Sequence, residues 1–291
     1  MKQKRYILIT GGSGMLGRIL ASHFSRAGYQ VIAPPQDELD LLDPNLVEHA
    51  VERFPACSAI IHCAAATDVN YCELNQSQCT EVNAAGTQRI VDLARRQKAK
   101  LFYISTPMVF SGTKGNYREH DRTAPINYYG TTKRGGEKLV LRYAHGIVIR
   151  SNPIGVRPAG TLPSFIQWFV DAAQSNRSFE LFTDVRINPI STAALAGVLE
   201  KLLKIALHDS IFHVGSRDIV NKADVWEYIL AHFPGYSGTV TRALVDRTTA
   251  GRTAVRPKEM WLNVEHIQES YRIPMPSWRH EVDLVLKELK I

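Results

Sequence analysis

Two adjacent tyrosines in the segment INYYGTTKRGGEK, residues 126–138, are candidates for acid–base chemistry. Tyr129 and Lys133 stand at i and i+4, so on a helix they share one face, whereas Tyr128 has Thr132 at that offset. A free tyrosine titrates at about pH 10, and a nearby ammonium group favours its phenolate. We therefore expect Lys133 to lower the pKa of Tyr129, and Tyr129 to be the proton donor.

A pair of hydroxyl side chains precedes these tyrosines. The apolar run FYIST ends in Ser105 and Thr106, the latter 23 residues before Tyr129. Ligands of doubly wound folds bind at the carboxyl edge of the sheet, where such a strand would end. A hydroxyl there is able to hydrogen-bond the same substrate oxygen as Tyr129, although Ser and Thr also close strands that have no such role.

A glycine-rich turn predicts a dinucleotide site. In ITGGSGMLGRIL, Gly11, Gly14 and Gly17 have the spacing TGxxGxxG, directly after the first apolar run and before a helical pattern. Residues without a Cβ allow the tight turn, and the free N–H groups of the helix start favour a pyrophosphate. The second apolar run ends at Ala33 with no carboxylate for a ribose 2′-OH, and Arg18 is placed to approach a 2′-phosphate. We expect NADP(H) or NAD(H), with NADP(H) favoured.

Five apolar runs alternate with helical patterns over the first half of the chain: RYILIT, YQVIAP, SAIIHCAA, KLFYIST and GIVIR. Runs that are apolar throughout indicate strands covered on both faces of a parallel sheet. The fold class is therefore α/β, a doubly wound (Rossmann) parallel sheet with a smaller, mostly helical C-terminal substrate lobe. We predict an NAD(P)-binding domain over residues 1–151, with 186–216 returning to its sheet, and a substrate-binding lobe from 152–185 and 217–291.

Composition excludes several function classes. The 291 residues are 45% hydrophobic and 22% charged, and the net charge of +7 comes from scattered basic residues, so we expect a small anionic ligand and no nucleic-acid partner. No apolar run reaches about 18 residues and no signal sequence precedes the first strand, so we expect no membrane contact and a cytoplasmic protein. The four cysteines have no CxxC pairing, which predicts free thiols and no metal.

Ordered landmarks over nearly the whole chain give a family resemblance. Besides TGxxGxxG and YxxxK, these are DLLDP, IIHCAAATDV, VNAAGTQRIVDLA, ISTPMVFSG, NYREHDRTAPINYYGTTKRGGE and the C-terminal RPKEMWLNVEHIQESYRIPMPSWRHEVDLVLKEL. Together they resemble the extended short-chain dehydrogenase/reductase superfamily, and within it the dTDP-4-dehydrorhamnose reductase family. The resemblance implies hydride transfer from NAD(P)H to the 4-keto carbon of a nucleotide-linked deoxysugar, and a homodimer.

The same resemblance implies roles for individual residues. Thr106, Tyr129 and Lys133 would be catalytic. The cofactor would contact Gly11, Gly14, Met15, Leu16, Gly17, Arg18, Asp40, Leu41, Ala64, Ala65, Ala66, Tyr129 and Lys133. The substrate would contact Thr106, Pro107, Asn152, Pro153 and Arg256.

Departures from the family pattern concern the sugar pocket. Pro107 and Met108 replace an acidic–aromatic pair, Pro153 replaces a tryptophan, and Asn70 replaces an aspartate. These changes leave the sugar open, and they disfavour a dehydratase because no acidic pair flanks Thr106. Two alternatives remain: a sugar-nucleotide epimerase, and a non-catalytic NAD(P)-binding subunit like the regulatory subunit of methionine adenosyltransferase, which resembles the same family.

Overall fold

The computed structural model describes residues 5–245 and 253–291; residues 1–4 and 246–252 of the two predicted domains lie outside it. The strands are β1 (Tyr6–Thr10), β2 (Gln30–Ile32), β3 (Cys57–His62), β4 (Lys100–Ser105), β5 (Gly146–Ser151), β6 (Pro153–Ile154), β7 (Phe179–Phe182), β8 (Arg186–Ile187), β9 (Ile190–Ser191), β10 (Ile211–Val214), β11 (Val220–Asn221), β12 (Val240–Ala243) and β13 (Glu259–Met260). The helices are α1 (Met15–Arg26), α2 (Pro44–Glu48), α3 (Ala50–Arg53), α4 (Val69–Leu74), α5 (Gln76–Thr80), α6 (Gly86–Gln97), α7 (Tyr128–Val140), α8 (Phe165–Gln174), α9 (Thr192–Lys204), α10 (Lys222–Leu230), α11 (Glu265–Tyr271) and α12 (Trp278–Glu288).

Six parallel strands form the main sheet, in the order β2-β1-β3-β4-β5-β10. Strand β1 has β2 on one side and β3 on the other, so the chain reverses its direction of progress across the sheet at β1. Crevices at such a reversal point receive the ligands of doubly wound folds. The predicted α/β fold class is confirmed.

Alternate residues of each buried strand serve two cores, one on each face of the sheet. Ile7 and Ile9 of β1 pack with residues of α1 and α9, whereas Leu8 packs on the opposite face with residues of α6. All three side chains are completely buried. This two-sided burial is the physical reason that the strands read as unbroken apolar runs.

A second core lies in a smaller lobe built largely from α8, α10 and α12, with short strands at its edges. Its centre is Trp226, packed edge-on against Phe169 and Phe179. The intervening α9 packs on α1, and β10 pairs with β5, so this part of the chain returns to the main sheet. Strand β8 instead pairs with β11 and β13. Residues 186–187 thus do not join the main sheet, and the predicted division of the chain stays a prediction.

Two of the cysteines are not the free thiols that the sequence predicted. Cys72 on α4 and Cys79 on α5 form a disulfide, with their Cα atoms 5.3 Å apart, whereas Cys57 and Cys63 are free. The prediction was wrong for the first pair because the turn between two short helices brings their side chains together, which spacing alone does not reveal. No helix in the described part of the chain is long and apolar enough to cross a membrane.

Candidate active site

A cavity of about 760 Å³ runs along the carboxyl edge of the main sheet and extends to the second lobe. This volume is typical of pockets for small ligands and cofactors. Most of the residues predicted for the site lie on its wall: Gly11, Gly14, Met15, Leu16, Gly17, Asp40, Leu41, Ala64, Ala65, Ala66, Thr106, Tyr129, Lys133, Asn152 and Pro153.

The glycine turn is built so closely that side chains do not fit in it. Gly11 has a φ of +69°, and a Cβ there would lie 2.9 Å from the backbone of Ala64. A Cβ on Gly17 would lie 2.1 Å from the carbonyl oxygen of Gly11. Gly14, which precedes α1, has no side-chain cap, so the first N–H groups of the helix are available to a ligand. This part of the wall fits a pyrophosphate.

Ala66 is linked to α7 by a buried asparagine that sequence reasoning missed. Asn83 accepts a hydrogen bond from Ala66 N at 2.8 Å and donates to Ala66 O and to Thr132 Oγ1, each at 3.0 Å. The family landmark VNAAGT contains this residue, and a polar side chain within a predicted buried helix was the available signal.

Helix α7 begins at Tyr128, so both tyrosines lie in its first turn. The Asn127 side chain caps it by accepting from Gly130 N at 2.8 Å. Tyr129 and Lys133, one turn apart, both line the cavity, whereas the Tyr128 hydroxyl lies 2.7 Å from Thr80 Oγ1. The helix geometry thus directs only one of the two tyrosines to the cavity.

Tyr129 and Thr106 both line the cavity. Thr106 follows β4, and its Oγ1 accepts from Met108 N at 3.2 Å, which orients the side chain. Burial raises the pKa of Tyr129 to about 12, although the charge of Arg157 and the Thr106 hydroxyl favour the phenolate. The expectation of a lowered pKa is thus not met, because loss of solvent outweighs the nearby charges. The phenol is protonated at neutral pH.

Lys133 is 3% exposed, and its ammonium group lies 4.0 Å from the centre of the Tyr103 ring. Burial lowers the pKa of Lys133 to about 7, while the negative charge of Glu137 favours the ammonium form. Glu137 stands one turn further along α7. A lysine with this pKa is able to change its charge near neutral pH when a ligand covers it.

Ser105, the neighbour of Thr106, belongs to a buried network instead of the reacting centre. Its Oγ donates to Glu137 Oε1 at 2.6 Å, and Arg150 donates to both oxygens of the same carboxylate at 2.9 and 2.8 Å. The network joins β4, α7 and β5. Of the two hydroxyl candidates, Thr106 is the one that acts on Tyr129, since its hydroxyl favours the phenolate.

The end of the cavity at the second lobe is mainly apolar, with Met108, Phe165 and Met260 among its residues. Asn152 donates to Met260 O at 2.7 Å, which orients the amide. Arg157, which sequence reasoning missed, also lines this end. Its only sequence signal was a lone arginine in the loop after the fifth strand.

Three residues predicted for the site are not on the cavity wall. The Arg18 guanidinium is directed to the second lobe, where it donates to Val156 O at 2.7 Å and to Glu288 at 2.6 Å. Pro107 is buried in the turn after Thr106. Arg256 donates to Asn70 Oδ1 at 3.1 Å. Arg18 and Arg256 are bonded to residues far away in the sequence, and Pro107 is buried locally. Sequence spacing does not reveal either effect, which is why these three residues were predicted to line the site.

Comparison with known proteins identifies the family. A family model described as the RmlD substrate binding domain matches residues 4–291. The chain belongs to this family. One relative is the dTDP-4-dehydrorhamnose reductase of Mycolicibacterium smegmatis. It is 28% identical, and the match covers 94% of this chain and 82% of the relative. Methionine adenosyltransferase 2 subunit beta of Pongo abelii is 34% identical, but over 52% of this chain and 47% of its own.

Among solved structures, dTDP-4-dehydrorhamnose reductase from Bacillus anthracis, in complex with NADP, has a TM-score of 0.89. It is 24% identical, and the match covers 98% of this chain and 100% of that one. At this identity the likeness shows the fold. The predicted resemblance to the dTDP-4-dehydrorhamnose reductase family is confirmed by the family match.

Proposed function

We propose that this protein reduces a 4-keto group on a nucleotide-linked deoxysugar with NADPH. The observation that carries the proposal is that Thr106, Tyr129 and the buried Lys133 line one cavity together with the glycine turn. The chain is an oxidoreductase of the extended short-chain dehydrogenase/reductase type. Its Mycolicibacterium relative is a dTDP-4-dehydrorhamnose reductase, which supports this substrate class.

NADP(H) is the cofactor, and NADP is the ligand in the Bacillus neighbour. When bound, the reduced cofactor supplies the hydride. The glycine turn would hold its pyrophosphate, Asp40 and Leu41 would contact the adenine, and Ala64 to Ala66 would lie along its centre. Lys133 would donate hydrogen bonds to the ribose next to the nicotinamide. Arg18 has no place in this proposal, because its guanidinium is held by Val156 and Glu288.

Tyr129 would donate its proton to the carbonyl oxygen as the carbon receives the hydride. The raised pKa of Tyr129 keeps the phenol protonated before the reaction, which suits an acid. Thr106 would hydrogen-bond the same oxygen and polarise the carbonyl. A charged Lys133 would favour the phenolate as the proton leaves, and Glu137 favours that charged form.

Asn152 would contact the sugar, as would Pro153. The residues that replace the family's acidic–aromatic pair are buried Pro107 and cavity-lining Met108, so we leave the identity of the sugar open. The epimerase alternative shares the fold and the catalytic residues, but it returns its cofactor unchanged. Stoichiometric oxidation of NADPH therefore separates the two, since only a reductase consumes it.

The regulatory-subunit alternative has a specific observation in its favour, the 34% identity to the methionine adenosyltransferase subunit. That match spans about half of either chain, whereas the reductase relatives match most of this one. We therefore favour the reductase function over the regulatory-subunit function. A stable complex with an adenosyltransferase, in the absence of turnover, would favour the alternative.

The test is NADPH oxidation with a panel of nucleotide-linked 4-ketosugars, using Tyr129→Phe and the matched control Tyr128→Phe. We expect Tyr129→Phe to lower kcat on the order of a hundredfold or more, because a positioned general acid contributes that much. Tyr128→Phe should keep its activity, since its hydroxyl bonds to Thr80 outside the reacting centre. Activity that survives in Tyr129→Phe but not in Tyr128→Phe would overturn the assignment.

A cytosolic location and a homodimer complete the proposal. The location is supported by soluble substrates and cofactor, while the Cys72–Cys79 disulfide is uncommon for the cytosol. Cell fractionation tests the first statement, and light scattering of the purified protein tests the second.

A further inference from the structure

Arg157 is an arginine on the cavity wall without a carboxylate partner. Its Nη2 donates a long hydrogen bond to Thr67 Oγ1, at 3.5 Å. None of the salt bridges in residues 5–245 and 253–291 involves it. Among the described residues of the wall, Asp40 is the one carboxylate, and it lies with the glycine turn at the cofactor end. A half-buried guanidinium in such a place is suited to an anion supplied by a ligand.

The backbone around Arg157 is fixed from two directions. Gln167 of α8 accepts from Arg157 N at 2.7 Å and donates to Arg157 O at 3.3 Å. The same Gln167 forms the capping box of its helix with Ser164. Arg18 of α1 donates to the preceding carbonyl, Val156 O, at 2.7 Å. Arg157 therefore projects from a backbone that is held in place and not from a loose loop.

Arg157 lies on the same cavity wall as the proposed reacting centre. Tyr129 lines the same cavity, and the positive charge of Arg157 favours the Tyr129 phenolate. A second polar group on the same wall lacks a partner: Ser151 is 2% exposed, and its Oγ has no hydrogen bond. A buried hydroxyl without a partner is unfavourable, which indicates that a polar ligand completes this part of the cavity.

We propose that Arg157 binds an anionic group that the substrate carries close to its reacting carbonyl, and thereby selects anionic ketosugars. The inference rests on the proposed function and narrows its substrate class. Two sources have the required chemistry: the phosphate joined to the sugar in a nucleoside diphosphate sugar, and a carboxylate on the sugar ring. Arg256, which the resemblance had implied for the diphosphate, is bonded to Asn70 away from the cavity wall.

The first experiment measures binding of dTDP to the NADP-saturated protein by calorimetry, in the parent, Arg157→Gln and Arg157→Lys. We expect Arg157→Gln to weaken dTDP binding at least tenfold, with a smaller loss in Arg157→Lys, and thymidine binding to be unchanged. Arg142→Gln, an exposed arginine just beyond α7, is the matched control and should behave as the parent. Glucuronate, added as a competitor of dTDP, tests the ring carboxylate. If Arg157→Gln binds dTDP like the parent but glucuronate no longer competes, the anion that Arg157 binds is the carboxylate on the sugar ring.

The proposal is overturned if Arg157→Gln binds both dTDP and glucuronate like the parent. It is also overturned if the variant loses affinity for NADP instead, because Arg157 would then serve the cofactor. Thermal unfolding of each variant shows whether a loss reflects misfolding, and Arg157→Lys provides a second, charge-retaining variant if Arg157→Gln is unstable.

Steady-state kinetics separates this proposal from the proposed function. With a ketosugar that the parent reduces, Arg157→Gln should raise the substrate KM at least tenfold, leave the KM for NADPH unchanged, and make the substrate KM less dependent on salt. An unchanged substrate KM would reject the role of Arg157 while leaving the reductase intact. If the parent reduces no ketosugar but its dTDP binding depends on Arg157, the reductase proposal fails and the anion site stands.

Discussion

Lys133 shows how burial changes the chemistry of a single side chain. The residue is almost completely buried beside Tyr103, and its pKa is lowered to about 7. Its ordinary pKa is about 10.4, so between about pH 7 and 10 the unfolded chain holds a proton that the folded protein has released. The free energy of unfolding contributed by Lys133 should therefore rise with pH in that window.

We predict that Lys133→Met removes this rise. The contribution of Lys133 is up to about 1.4 kcal/mol per pH unit, and urea unfolding of the unliganded protein at several pH values measures it. The free thiols Cys57 and Cys63, with pKa values raised to about 11 and 12, have the opposite slope above about pH 8.5. The difference between parent and variant is therefore the relevant quantity. Lys138→Met, an exposed lysine of the same helix, is the control. Equal slopes in Lys133→Met and the parent would contradict the prediction.

At the scale of elements, one buried ion pair and a neighbouring serine connect β4, β5 and α7, which surround the proposed reacting centre. Arg150 of β5 and Glu137 of α7 are 3% and 4% exposed at their side chains, and Ser105 of β4 donates to the same carboxylate. Ser105 and Arg150 are also partners in the strand register. The ion pair thus fixes α7, which carries Tyr129, relative to the strand that precedes Thr106.

We predict that Glu137→Gln lowers the free energy of unfolding by about 3–5 kcal/mol, because Arg150 keeps a buried charge without its counter-charge. The double variant Glu137→Leu with Arg150→Met should recover much of this loss, since it removes both charges. Urea unfolding provides the values. Arg95→Gln, which breaks an exposed pair with Asp92, should cost less than about 1 kcal/mol. A Glu137→Gln protein as stable as this control would show that the buried pair does not hold the elements together.

At the scale of the whole molecule, two buried histidines lie in the main sheet. His62 on β3 lies between Thr10 Oγ1, at 2.7 Å, and Thr87 Oγ1, at 3.1 Å. His213 on β10 lies 2.9 Å from Tyr117 O. Burial lowers the pKa of each to about 3, so both are neutral in the folded protein. Unfolding below about pH 6.5 lets both bind protons.

The protein should therefore lose stability as the pH falls from about 6.5 towards 4. Each histidine contributes up to about 1.4 kcal/mol per pH unit, because the unfolded state binds the proton that the folded state excludes. Urea unfolding across this range measures the slope, which should be smaller in His62→Gln. His280→Gln changes an exposed histidine and serves as the comparison. If His62→Gln keeps the full slope of the parent, His62 does not contribute to the acid sensitivity.

The sequence by itself determined the features that depend on neighbours in the chain. The apolar runs predicted the parallel sheet because burial on both faces requires apolar residues at every position of a strand, as Ile7, Leu8 and Ile9 illustrate. The i to i+4 spacing selected Tyr129 over Tyr128 because a helix fixes which side chains share a face. The glycine spacing likewise predicted a turn with no room for a Cβ.

Only the tertiary structure decided the features that depend on distant segments. It directed Arg18 to Glu288 and away from the cavity wall, paired Cys72 with Cys79, and placed Arg157 on the same cavity wall as Tyr129. It also reversed the expected direction of the Tyr129 pKa, because desolvation depends on every element packed around a group, whereas spacing along a helix reports one neighbour. Side-chain direction and burial are properties of the folded assembly of elements, and no single segment contains them.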